Sequence, residues 1–123
     1  MLTAVMAIRS EHADRIYRGD KRFEFRRQRP RFTRGLKIFV YEPAPVRAVT
    51  GHFQVADLID IDSNLGALEE DDSARVIVES YLRGARRPTA IKVAGPTRLD
   101  QPLPLEYFGV KAAPQSYVYV VPR

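Results

Sequence analysis

Six short segments of strand character, cut apart by proline, glycine and charge, stand against only two of helical character, and this imbalance limits the chain more than any other feature. Strands that outnumber helices and do not alternate strictly with them do not build a doubly wound parallel sheet. They build an α+β fold with a curved or closed sheet. Residues 2–8 (LTAVMAI) form an apolar run bounded by charge, the pattern of a strand buried on both faces. Residues 22–27 alternate, with Phe23 and Phe25 on one side and Arg22, Glu24 and Arg26 on the other. Residues 36–41 (LKIFVY), 88–93 and 116–121 (SYVYVV) read as strands, and 46–61 as a long or bent one in which Gly51 marks a bulge or a close backbone approach. Residues 102–110 form a proline-punctuated turn region.

Both helical segments carry their own start and stop signals. In the first, Ser10 is a natural N-cap, Ala13, Ile16 and Tyr17 share one face, and Gly19 supplies a left-handed end. In the second, Ala74, Ile77, Val78, Tyr81 and Leu82 recur at helical spacing, acids precede them, and Arg83 and Gly84 close the segment. At 123 residues, with no repeat, low-complexity tract or interior linker, residues 1–123 are expected to form one domain.

Composition removes several functions. Without cysteine there are no disulfides, thiolate metal sites or cysteine nucleophiles. No apolar stretch approaches eighteen residues and charge arrives at Arg9, so neither a membrane span nor a signal core is expected, and the chain reads as cytoplasmic. Gly-x-Gly-x-x-Gly, P-loop and Gly-x-Ser-x-Gly patterns are absent. His12 and His52 lie forty residues apart with no partner at ligand spacing, and Asp57, Asp60 and Asp62 lack the glycine and glutamate of a calcium loop. Nothing in the sequence asks for a metal or a cofactor.

Charge supplies the positive signal. The net charge is +5, but residues 21–37 hold eight Lys or Arg against Glu24, while residues 56–79 hold eight acids against Arg75. Such a chain carries a directional field that favours a polyanion on one side, with a solvated basic hairpin as the plainer alternative. On the 22–27 strand, Arg22 and Arg26 flank Glu24 and favour its charged form. A carboxylate so held accepts hydrogen bonds from the exocyclic amino group of a base while neighbouring cations hold phosphate; otherwise it belongs to a surface ion-pair ladder. Lys21 is a phosphate contact, a catalytic amine if burial tunes it, or an exposed strand-entry lysine. Phe32, Phe39, Tyr41, Tyr117 and Tyr119 could stack bases, whereas Phe23, Phe25, Tyr81 and Phe108 read as core.

The segment Gly19-Asp20-Lys21-Arg22-Phe23-Glu24-Phe25-Arg26-Arg27, following a strand and a short helix, resembles the Gly-x-Lys-x-x-Glu-x-Arg signature of ASCH domains, members of the PUA-like superfamily. The run from Val40 through Glu42-Pro43 to Gly51 resembles that family's strand, crossing and glycine. Tyr81-Leu82-Arg83-Gly84 and Pro114-Gln115-Ser116-Tyr117 are similar to a bacterial and archaeal subgroup known as predicted transcriptional regulators. The resemblance implies a small mixed β-barrel with flanking helices and a cleft beside the first helix. It implies binding of RNA or a modified nucleotide, with Lys21, Glu24 and Arg26 lining the cleft. Arg27, Arg29, Arg31 and Arg34 would add the electrostatic footprint, and Gln115, Ser116 and Tyr117 the opposite wall. Some ASCH relatives are enzymes, an acetylcytidine amidohydrolase and a ribonuclease. The amidohydrolase lysine matches Lys21, but a threonine stands there where this chain has Glu24. A hydrolase using Lys21 and Glu24 is thus one alternative, and a protein-docking module acting through the acidic segment 56–79 is another. A helix fed by Glu69, Glu70, Asp71 and Asp72 would be repelled by a DNA major groove, so no DNA-reading helix is assigned.

Overall fold

The six strands join edge to edge into one mixed sheet. The structure, a computed structural model, describes residues 2–61 and 80–121. Its strands are β1 (Thr3–Ala7), β2 (Phe23–Arg26), β3 (Lys37–Glu42), β4 (Ala48–Asp60), β5 (Thr89–Leu103) and β6 (Tyr117–Val120). Helix α1 (Ser10–Arg18) follows β1, and a 3-10 turn, Leu105–Phe108, follows β5. The spatial order is β2-β5-β4-β3-β1-β6. β1 and β3 run parallel and every other neighbouring pair is antiparallel.

This sheet curls strongly. β2 and β1 stand four places apart in the order, which in a flat sheet would separate them by about 19 Å. Yet Nη2 of Arg26 on β2 donates to the Ala7 carbonyl at the end of β1 at 2.8 Å. The closed barrel implied by the resemblance is not reached: β2 and β6 remain the two ends of the order, and the sheet is a half-barrel.

Curling gives the sheet two packed faces. On one, Ala4, Met6, Ile38, Val40, Phe53, Val55 and Ile91 meet Ala13 and Ile16 of α1, and Phe32 and Leu36 close the cluster. On the other, Val5, Tyr41 and Val49 pack with Phe39, Leu99, Leu103, Leu105 and Phe108. β1 is therefore buried on both faces, as its unbroken apolar run implies. The aromatics read as base platforms are mostly packing. Phe32 and Tyr41 are buried, Phe39 lies against Phe108 at 4.7 Å, and Tyr117 meets Phe32 edge-on at 4.7 Å. Tyr119 is the partly open one.

Three further expectations change. Ser10 is the first helical residue rather than the cap; Arg9 occupies the cap position and makes no side-chain capping bond. β5 runs to Leu103, not Val93, because Gly95-Pro96 does not end it: His52 pairs with Thr97 and Gln54 with Ala94, so the two residues bulge opposite Phe53. The 102–110 region accordingly splits into a strand end and the 3-10 turn. Gly51 satisfies both of its readings. The β3–β4 register shifts beside it, and a Cβ there would lie 2.3 Å from the Thr97 carbonyl oxygen and 2.5 Å from the Tyr17 ring. That closeness lets Tyr17 hydrogen-bond Thr50 at 2.8 Å, and burial pushes its phenol up to about 12. The 63–72 run and the helix expected over 74–82 lie outside the described residues, save for residues 80–82, which are helical.

Candidate functional site

α1 and β2 bring three ionised side chains together. Gly19 turns the chain at φ 82°, and the amides of Asp20 and Lys21 both donate to the Arg15 carbonyl at 3.0 and 3.1 Å. This bend returns Lys21 beneath α1, nine residues after His12. β2 then runs along β5, Glu24 opposite Ile91 and Arg26 opposite Thr89.

Glu24 is buried, and its two oxygens are held by different cations. Oε1 lies 3.2 Å from Nζ of Lys21, which is buried too, and Oε2 accepts from Nη2 of Arg26 at 2.8 Å. The sequence reading had Arg22 and Arg26 as the flanking cations; the turn after α1 brings in Lys21. Nζ of Lys21 also lies 3.3 Å from Nδ1 of His12 and 5.6 Å from the Phe25 ring centre. An ammonium has no lone pair, so Nδ1 is the acceptor and the imidazole hydrogen sits on Nε2. Burial, and then the Lys21 charge, lower the His12 pKa from its ordinary 6.5, which keeps the ring neutral near pH 7. Arg26 is tied to Glu24 and to the Ala7 carbonyl through Nη2, while its buried Nε has no acceptor among the described residues.

These groups wall a cavity of about 660 Å³. β1 and the residues after it contribute Ala7, Ile8 and Arg9, and the first turn of α1 adds Glu11 and His12. Lys21, Glu24, Phe25 and Arg26 form the β2 wall, and Pro43, Tyr81 and Gln115 stand at the remaining sides. The volume suits a nucleoside-sized molecule. Among the described residues no cluster of three or more His, Asp or Glu could hold a metal ion.

The other residues named from the sequence lie elsewhere. Arg27 donates to the Tyr81 and Arg83 carbonyls. Arg29 pairs with Asp60 at 2.6 Å and Arg34 with Asp57 at 3.2 Å, so two acids of the 56–79 segment face the basic loop; beyond Ile61 that segment is outside the described residues. Arg31 is exposed, with its backbone bonded to the Tyr117 and Tyr119 hydroxyls. Of the proposed opposite wall, Gln115 reaches the cavity; the Ser116 carbonyl accepts from the Ala7 amide, and Tyr117 packs on Phe32. Sequence reasoning missed His12, Arg9, Glu11 and Tyr81. For His12 the usable signal was its place in the first turn of a helix whose glycine end returns the chain to Lys21. Tyr81 had none, since its helical spacing put it in the core.

Residues 6–102 match the sequence profile of the ASCH domain. The chain belongs to the ASCH domain family. Solved structures agree at the level of fold. The ASCH protein of Zymomonas mobilis superimposes with a TM-score of 0.79 at 22% identity, over 97% of this chain and 87% of that one. Crystal structures of its Ser-to-Ala and Tyr-to-Phe variants give 0.79 and 0.78 at the same identity, covering 88% and 90% of those chains. A search of curated proteins finds no match. Lys21, Glu24 and Arg26, the three residues singled out from the sequence, are gathered at one side of this cavity. Among the described residues no helix is long and apolar enough to cross a membrane.

Proposed function

We propose that the cavity binds a nucleotide, free or within RNA. The observation that carries this reading is the buried Lys21–Glu24–Arg26 cluster set in a cavity wall, with an Arg26 N–H left without an acceptor among the described residues. Burying three charges is expensive, and an apolar wall of the same shape would be at least as stable, so a role in recognition accounts for their presence. Each Glu24 oxygen keeps a lone pair that can accept from a base amino group, while Lys21 and Arg26 serve phosphate or carbonyl oxygen. The likeness of residues 81–84 and 114–117 to the regulator subgroup is in keeping with binding rather than turnover.

The proposal is tested by incubating the protein with a mixed pool of nucleosides, modified nucleosides and short RNAs and reading bound and converted species by mass spectrometry. Retention of particular species is expected, abolished by Lys21→Ala and shifted to other bases by Glu24→Gln. Unchanged retention in folded Lys21→Ala protein would reject the reading. One observation favours the hydrolase alternative: neutral His12, Lys21 and Glu24 form a contact chain that could relay a proton at the cavity wall. Conversion of any species, lost in Lys21→Ala, would put that alternative first.

A further inference from the structure

The sheet has two ends, and they are guarded differently. β2 carries Glu24 and Arg26, is flanked by Lys21, Arg22 and Arg27, and is tied across the curl to Ala7. β6, at the other end, lies in a run from Gln115 to Val121 that has neither a charge nor a proline. Charge and proline are what keep a strand edge from pairing with another chain, and an edge of β-branched and aromatic residues without them is a template for a further strand.

Which backbone groups of β6 stay open follows from its pairing with β1. The Ala7 amide donates to the Ser116 carbonyl at 2.9 Å, while the next amide, that of Ile8, donates the other way, to Tyr41 on β3. Antiparallel bonding alternates, so with Val5 opposite Val118 and Thr3 opposite Val120, it is Ser116, Val118 and Val120 that turn their N–H and C=O groups to β1. Tyr117 and Tyr119 turn theirs outward, and among the described residues no strand lies on that side. Their side chains are engaged on one face of the sheet, where both hydroxyls bond the Arg31 backbone and both rings meet Phe32. Tyr119 is 37% exposed, and Leu2 and Val121, which flank the β1–β6 ladder, are 46% and 75% exposed.

We infer that β6 pairs antiparallel with β6 of a second copy of this chain, about a two-fold axis at Val118. Tyr117 of each copy then faces Tyr119 of the other, and each of these two pairs exchanges both of its N–H···O bonds, so every outward backbone group of Tyr117 and Tyr119 is used. The edge fits itself. Its two open residues are placed symmetrically about Val118, and an uncharged strand sets no like charges against each other when two copies meet. A closed two-fold pair also stops growth, because the sheet end left over is the charged β2. Continued along the strands, the same register sets Val121 of the second copy opposite Gln115, which lines the cavity, so the seam ends beside the cavity wall.

Sedimentation velocity from micromolar to submillimolar protein is expected to show a monomer–dimer equilibrium and nothing larger. Tyr119→Pro removes one outward amide from each copy and leaves the β1 ladder alone, so it should weaken the dimer about tenfold or more, while Tyr119→Phe keeps it. Cross-linking reads the register independently of that variant's folding: the chain has no cysteine, so Val118→Cys and Val120→Cys each introduce a lone thiol. In the inferred pair the two 118 positions face each other with Cα atoms about 4.5 Å apart, within disulfide reach, and the two 120 positions do not face. Under oxidation Val118→Cys should become a covalent dimer and Val120→Cys should stay a monomer. A protein that is monomeric at every concentration, with neither thiol variant linking, overturns the inference and leaves the edge to an extended peptide of another protein. Linkage through Val120→Cys in place of Val118→Cys, or assembly beyond the dimer, overturns it as well.

Discussion

Two arginine–carboxylate contacts in this molecule have almost the same length and opposite settings. Arg26 meets Glu24 at 2.8 Å with the side chains 15% and 8% exposed; Arg98 meets Asp14 at 2.7 Å with 50% and 60% exposed. By distance they are equivalent. By environment they are not, because water already solvates the second pair and has been stripped from the first. In the exposed pair the Coulomb gain is screened and offset by lost side-chain freedom, leaving about 0–1 kcal/mol. In the buried pair the shared carboxylate is what matters, and removing Glu24 leaves both Arg26 and Lys21 without a carboxylate partner among the described residues. Arg98 has a second role that hides behind the ion pair: its guanidinium lies 4.4 Å from the Tyr17 ring centre, a stacking contact that survives loss of Asp14.

The sharpest way to break the comparison is at Glu24. Glu24→Ala leaves Lys21 and Arg26 facing each other in the wall, and we expect a loss of about 3–5 kcal/mol in urea unfolding. Replacing all three by apolar groups of similar size, Lys21→Met/Glu24→Leu/Arg26→Met, should cost less than the single truncation, because no charge is stranded. A triple variant less stable than Glu24→Ala would mean that the cluster is there for stability, and the argument for a recognition role would fall.

How much of this could be read in the chain depends on range. The run of β1, the alternation of β2 and the glycine end of α1 are local patterns, and each appears where it was read. Lys21, Glu24 and Arg26 lie within six residues, so one turn and one strand suffice to gather them. Gly95-Pro96 misled because a bulge and a chain break share the same residues; only the β4 partner strand decides between them. Phe32 and Tyr41 misled because exposure is a property of the neighbours they pack on, here Tyr117 and Val5, which are distant in sequence. His12 joins the cavity through the glycine end of α1, which returns the chain to Lys21 within nine residues, whereas Tyr81 joins it from far along the chain and no short window contains it.

A gentler probe of the buried region is pH. Burial and Lys21 lower the His12 pKa, against the opposing pull of Glu24 and Glu11, with Arg15 adding to the lowering; burial and Lys37 lower that of His52. The unfolded chain takes up these protons near its ordinary pKa of 6.5, the folded chain only at lower pH. Between those values the unfolded state holds more protons, so stability should fall as pH drops below about 6.5 and level off once the folded histidines are protonated as well. His12→Gln should remove part of that fall and His12→Gln/His52→Gln more of it. Urea midpoints measured from pH 8 to pH 5 decide this, and an unchanged profile in both variants would show that these rings titrate as they do in the unfolded chain.

The smallest effect is expected at the opposite extreme of the comparison, the Arg34–Asp57 pair. Arg34 is the more exposed partner, and its guanidinium sits 3.2 Å from Oδ1 of Asp57. That same oxygen accepts the Leu58 backbone amide at 2.9 Å, so the carboxylate remains hydrogen-bonded and hydrated when the arginine is gone. Arg34→Ala should therefore move the urea midpoint by the equivalent of about 0.5 kcal/mol or less, and less still in high salt. A loss above about 2 kcal/mol would mean that burial does not separate the two kinds of pair. The stability argument for Glu24 would then have to rest on the number of cations it holds, two against one, rather than on the water it lacks.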